Sequence, residues 1–273
     1  MCPSPVKPGG RRGYLMPIGG AEDKGNDPRI LGRFLDICGG EKARIVVIPT
    51  ASRLPDTGAM YSDLFMDLGA ERALFTDINE RGDCEDELLL EEMDAATGIF
   101  VTGGNQLRLS GILGGTPVGQ RLRRLNADGI PIAGTSAGAA MMSQHMIVGG
   151  ASGNSPREDG VNLAPGIGLI NTAIIDQHFS QRDRLGRLLT ALSYNPFLIG
   201  VGVDEDTAFL IDGDGKGEVI GNGVVTILDA SDLSHSSRSS ASSGAPISLV
   251  DMRLHTLAEG CFFDTQSREV TLC

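Results

Sequence analysis

Residues 130–143 read IPIAGTSAGAAMMS. The stretch starts as a strand, Ile130 to Ala133, and leaves as an Ala/Met-rich helix, Ala139 to Ser143, with Gly134-Thr135-Ser136-Ala137-Gly138 between. In that setting G-x-S-x-G is a tight strand-to-helix turn. It lifts the serine Oγ out of the sheet and leaves the next backbone N–H free as an oxyanion donor. Small neighbours are needed because the two backbones pack closely. A glycine-rich βα turn whose serine only caps the helix fits the same letters; the presence of both flanking elements favours the nucleophile.

The alternation extends on both sides. Tyr14 to Ile18 reads as a strand and Gly19 to Lys24 as a loop. Asp27-Pro28 caps and opens a helix with the stripe Ile30, Leu31, Phe34, Leu35 and Cys38, ended by Gly39. Arg44 to Ile48 is a buried strand by its β-branched content. Asp56 starts a helix carrying Met60, Leu64, Phe65 and Leu68, closed by Gly69. Ala73 to Phe75, Glu87 to Met93 and Gly98 to Val101 repeat strand, helix, strand, and Thr116 caps a helix from Pro117 to Leu125. Parallel strands need such crossovers, so the expected fold is α/β: a mainly parallel sheet with helices on both faces. Ligands in these folds sit beyond the carboxyl ends of strands. The loops at that edge are Gly19-Gly20, Pro49-Thr50, Gly103-Gly104-Asn105-Gln106 and Gly134 to Gly138.

After Asp204 the chain turns to short strands with turn signals, Phe209 to Ile211 and Val224 to Leu228 around Gly221 to Gly223, which predicts antiparallel additions in the last third. Ser234 to Pro246 is serine-rich without an apolar period and reads as a mobile insertion. With no internal repeat and no second core, residues 1–273 are expected to be one catalytic domain with a flexible start over 1–12.

Hydrophobic residues make up 41% and charged residues 21%, so enough apolar surface exists to offset chain entropy and exclude disorder as the main state. The formal charge of -12 argues against nucleic acid or an anionic membrane as partner. Cys2, Cys38, Cys84, Cys261 and Cys273 are scattered, with no C-x-x-C pair or Cys/His cluster, so neither a disulfide framework nor a metal site is suggested. Absence of a long apolar run and of a signal core points to the cytoplasm.

A nucleophilic serine needs a base. His145 follows the nucleophile helix and His235 lies in the serine-rich segment, which leaves His178 and His255. His178 follows a buried strand, Ala173 to Asp176, and so sits at a strand end like Ser136. Arg182, Arg184 and Arg187 come next, in what reads as a helix continuing through Leu192. Arginine forks suit carboxylates; a solvated helix face paired by Asp183 is the plainer possibility. The acid that orients the imidazole can be Asp204, Glu205 or Asp206, at the end of strand Ile199 to Val203. Spacing does not separate the three. An esterase-like order, Ser136, Asp206, His255, stays open beside it.

Taken together, Gly19 to Lys24, Pro49 to Ser52, Thr102 to Gln106, Gly134 to Ala139, Asp176 to Phe179 and Gly202 to Glu205 resemble the cyanophycinases, a branch of the dipeptidase E-like serine peptidases with a sheet like that of class I glutamine amidotransferases. The resemblance spans roughly residues 14 to 230 in one order, which makes it more specific than any single motif. It implies Ser136 as nucleophile, His178 as base and Glu205 as orienting acid. It also implies Asn105, Gln106, Asp176, Gln177, Arg182, Arg184 and Arg187 as substrate-binding residues, with the backbone N–H groups of Gly104 and Ala137 as oxyanion donors. The implied reaction is hydrolysis of cyanophycin to β-Asp-Arg dipeptides without metal or organic cofactor, by a homodimer. An α-aspartyl dipeptidase of the same superfamily and a non-catalytic binding module are the rivals.

Overall fold

The computed structural model describes residues 2–272. Strand β1 (Leu15–Ile18) leads into helix α1 (Arg29–Ile37), followed by β2 (Arg44–Ile48), α2 (Thr57–Asp67), β3 (Arg72–Phe75), α3 (Glu87–Ala95) and β4 (Gly98–Val101). Helices α4 (Gln106–Leu113) and α5 (Pro117–Ala127) precede β5 (Ile132–Thr135) and the four-residue α6 (Ala137–Ala140). The hairpin β6 (His145–Gly150) and β7 (Val161–Pro165) then leads to β8 (Ala173–Gln177), α7 (Leu185–Tyr194) and β9 (Ile199–Val203). The remaining strands are β10 (Thr207–Ile211), β11 (Lys216–Gly221), β12 (Val225–Asp229), β13 (His235–Ser236), β14 (Leu249–Val250), β15 (Arg253–Leu257), β16 (Phe262–Asp264) and β17 (Val270–Thr271). Among the described residues no helix is long and apolar enough to cross a membrane.

The main sheet has nine strands in the order β17-β16-β11-β10-β1-β5-β4-β2-β3. From β1 to β3 every pairing is parallel, and from β1 to β17 every pairing is antiparallel. This is the expected α/β architecture, with the antiparallel strands drawn from the last third of the chain. Strands β1, β4, β5 and β10 are buried at every position because both faces of the sheet are covered there. In β2, Ile45 and Val47 pack with Phe34 of α1 and Phe65 of α2, whereas Val46 and Ile48 join Leu109 of α4 and Leu122 of α5.

The sequence predicted one sheet edge for all the functional loops, and there the structure differs. Strands β8 and β9 pair in parallel within a second sheet, ordered β15-β12-β9-β8. Ile175 and Val201 pack into the same core as Phe209 of the main sheet. On the outer face Ile174 meets Leu188 and Leu192 of α7. Buried runs such as Ile199–Val203 look alike in either sheet, so sequence periodicity carries no sign of the division.

Several elements are shifted from their predicted positions. The strand predicted at 130–133 lies at Ile132–Thr135, and the following helix ends at Ala140 rather than Ser143. Gln106, predicted in a loop, opens α4, which Asn105 caps by accepting from the Arg108 N–H at 3.0 Å. The Asp27 carboxylate binds Arg29 instead of capping α1. Met60 is exposed, and Tyr61 takes the buried place on α2. Helix α7 begins only at Leu185, after a short 3-10 turn containing Arg182. The serine-rich segment is folded against its neighbours: Ser243 donates to Asp159 at 2.6 Å, and the Arg238 guanidinium lies 3.7 Å from the centre of the Tyr194 ring. Residues 2–12 are likewise held, by Lys7–Asp128 at 2.7 Å and Arg11–Asp214 at 2.6 Å. Cys273 lies outside the described residues.

Candidate active site

The carboxyl end of β1 ties three loops together. Carbonyls of Ile18, Gly19 and Gly20 accept the backbone N–H groups of Ser136 (2.9 Å), His178 (2.8 Å) and Asp206 (2.8 Å) in turn. One loop of the main sheet thus holds the turn after β5, the turn after β8 in the second sheet, and the connection from β9 to β10. Gly20, at φ 101°, permits this approach, since a Cβ there would overlap the His178 ring. Ser136 (φ 52°) and His178 (φ 47°) both adopt left-handed backbone conformations, rare outside glycine and typical of functional turns.

Ser136 Oγ lies 2.9 Å from His178 Nε2, and His178 Nδ1 lies 2.6 Å from Glu205 Oε1. The serine hydroxyl can donate to one ring nitrogen while the other donates to the carboxylate. Of the adjacent acids, Asp204 accepts the N–H groups of Ser180 (2.9 Å) and Val224 (3.3 Å). Asp206 accepts from the Asp23 N–H (2.8 Å) and the Asn222 amide (2.6 Å). Geometry separates three acids that spacing could not. His255 lies on β15 beside Phe263, with ring centres 6.0 Å apart, and among the described residues it shares no hydrogen bond with Asp206 or Ser136, so the order Ser136, Asp206, His255 is not assembled.

Burial holds the His178 imidazole below its ordinary value of 6.5; Glu205 opposes the shift, while Arg182 and Arg184 reinforce it. The ring is therefore neutral over the upper part of the physiological range, as a general base requires. The N–H groups of Gly104 and Ala137 meet no acceptor among the described residues. Gly104 has φ 143°, and a Cβ there would overlap the Ala51 carbonyl, so this turn also depends on glycine. Ser136, His178, Gly104 and Asn105 line a cleft of about 800 Å³.

The remaining predicted residues lie elsewhere. Gln106 donates to the Ile147 carbonyl at 3.2 Å. Asp176, 1% exposed, binds Arg187 through both carboxylate oxygens, with Nε to Oδ2 at 2.6 Å. Arg184 joins the pair from 3.4 Å and donates to the Gln177 side chain at 2.9 Å. These four residues form a buried ion-pair network behind His178, not a wall of the cleft. Arg182 stays exposed and acts on His178 through its charge.

Sequence reasoning missed Glu22. Its buried carboxylate accepts from Tyr61, from Thr135 at 2.6 Å and from Lys24 at 3.1 Å, and all four residues line the cleft. Burial and this carboxylate push the Tyr61 phenol up. The signal was the charged Glu22-Asp23-Lys24 run in the loop after β1. Nothing in the sequence showed that the first of these turns inward.

Fold and geometry together are those of a serine-type peptidase. The chain belongs to peptidase family S51, whose sequence profile matches residues 15–219. Among curated relatives, the cyanophycinase of Trichormus variabilis is 43% identical over 258 residues, covering 94% of this chain and 87% of that protein. The cyanophycinase of Geminocystis herdmanii is 42% identical over 260 residues, covering 94% and 96%. The crystal structure of a peptidase from an acI-B1 Actinobacterium shares the fold at a TM-score of 0.64 and 21% identity, covering 92% of this chain and 97% of that one.

Proposed function

We propose that this chain hydrolyses cyanophycin, a poly-aspartate carrying arginine on each β-carboxyl, to β-Asp-Arg dipeptides. The observation that carries the reading is the hydrogen-bonded line Ser136–His178–Glu205 at the mouth of a cleft, in a chain over 40% identical to cyanophycinases. Ser136 Oγ attacks the scissile carbonyl as His178 Nε2 takes its proton, and Glu205 stabilises the imidazolium that results. The N–H groups of Gly104 and Ala137 receive the negative oxygen; one such donor is worth roughly 10²- to 10³-fold in rate. His178 then protonates the leaving amine, and water, activated by the same ring, releases the acyl group from Ser136.

Arg184 and Arg187, bound to Asp176, serve in this reading as the support beneath His178 rather than as a clamp on the substrate. That removes one sequence argument for the polymer and keeps an α-aspartyl dipeptidase as the rival. Mass analysis of products separates the two. Release of β-Asp-Arg from cyanophycin supports the proposal, whereas cleavage of α-aspartyl dipeptides with cyanophycin untouched overturns it. A homodimer in the cytoplasm belongs to the same reading, and sedimentation equilibrium tests the dimer.

A further inference from the structure

A second cavity of about 460 Å³ opens at the carboxyl ends of β2 and β3. It lies beside the Ser136 cleft, and Ser52, Arg53 and Leu54 line both. The chemistry of its wall is of two signs. Arg53 and Arg108 contribute guanidiniums, and neither has a carboxylate partner among the described residues; Arg108 donates only to the carbonyls of Thr50 (2.9 Å) and Asn79 (3.2 Å). Asp77 contributes a carboxylate that accepts from the Asn79 side-chain amide at 2.7 Å and makes no ion pair among the described residues. Phe75, 46% exposed, adds an aromatic surface. Thr50 and Thr76, each 3% exposed, complete the wall, and their hydroxyls have no hydrogen-bond partner among the described residues.

Unpaired charges of both signs, an aromatic face and unmatched hydroxyls suit a ligand that carries a carboxylate and a cation together. The mixture argues against a polyanion, which Asp77 would repel. In cyanophycin each arginine is joined through its α-amino group, so every repeat presents a free α-carboxylate and a guanidinium. We propose that this cavity is a subsite for the arginyl unit of a repeat neighbouring the one being cleaved. The α-carboxylate lies on Arg53 and Arg108, and the guanidinium on Asp77 and the Phe75 ring. The volume is in the range of ligand sites, and the shared segment Ser52 to Leu54 lets one chain occupy both cavities. This inference rests on the proposed substrate.

The test compares Arg108→Gln and Asp77→Asn, which line this cavity and not the Ser136 cleft, with the parent on cyanophycin and on a two-unit β-Asp-Arg oligomer that spans only the scissile bond. For each variant KM for the polymer is expected to rise about tenfold, the loss of one charged contact, with kcat unchanged and the oligomer cleaved as by the parent. Unchanged polymer KM, or equal loss on both substrates, overturns the subsite. A binding measurement stands independent of turnover. Free β-Asp-Arg titrated into isotope-labelled Ser136→Ala protein should shift the amide signals of residues 76–79, and Asp77→Asn should abolish those shifts. Their absence overturns the subsite even where the parent cleaves cyanophycin. Their presence in a protein that leaves cyanophycin intact overturns the substrate proposal and keeps the arginyl site.

Discussion

Ser136 and His178 are held in conformations that cost on the order of 1–3 kcal/mol each, and the carbonyls of Ile18 and Gly19 keep them there. Side-chain roles at this scale can be ranked by what each group touches. His178→Ala should lower turnover by roughly 10⁴-fold or more, as loss of a triad base does, while His255→Ala, on the second sheet, changes it little; steady-state rates on cyanophycin check both. Glu205→Gln should lower kcat by about 10³- to 10⁴-fold. Asp204→Asn should instead lower the melting temperature, because its carboxylate holds the turns at Ser180 and Val224. The pH profile follows from His178. In the proposed mechanism its ring must be neutral to accept the Ser136 proton, so activity falls as pH drops through its pKa. Burial depresses that pKa, which puts the acid limb of kcat/KM below 6.5. Arg182→Gln removes a charge that assists the depression, so the limb should move to higher pH; a limb that stays fixed or moves down contradicts the electrostatic link.

At the scale of elements, the loop after β1 and the network behind β8 do the positioning. Gly20→Ala forces a methyl group into the His178 ring, and activity should fall at least tenfold with only a modest change in melting temperature. Arg187→Met removes the charged partner of buried Asp176, and chemical denaturation should show a cost of about 3–5 kcal/mol. Arg182→Lys, at an exposed position, should cost under about 0.5 kcal/mol. The contrast shows what the sequence could reveal. Three arginines after a histidine were legible as a group, but burial decides their roles, and burial depends on the partner Asp176 from a neighbouring strand. Helix α1 was legible from its stripe and from Gly39, because amphipathic period and a left-handed stop are local properties. Helix α4 was not, since Asn105 caps it within a run that also reads as a glycine-rich loop.

Across the whole molecule, the candidate site sits where two sheets meet. Ser136 comes from the main sheet, and His178 and Glu205 from loops of the second, so the line between them forms only when the shared core of Ile175, Val201 and Phe209 is packed. The parallel half of the main sheet was legible because crossovers impose it. The division between sheets was not, because it follows from long-range pairing of β9 with β12 that no local pattern encodes. An activity that depends on both sheets should disappear in step with global unfolding in urea. The most direct measurement is the rate of β-Asp-Arg release from cyanophycin by Ser136→Ala beside the parent, after circular dichroism has shown that both are folded. Serine catalysis predicts a loss of roughly 10⁴-fold or more. A folded Ser136→Ala protein that releases the dipeptide at a rate near the parent's contradicts it.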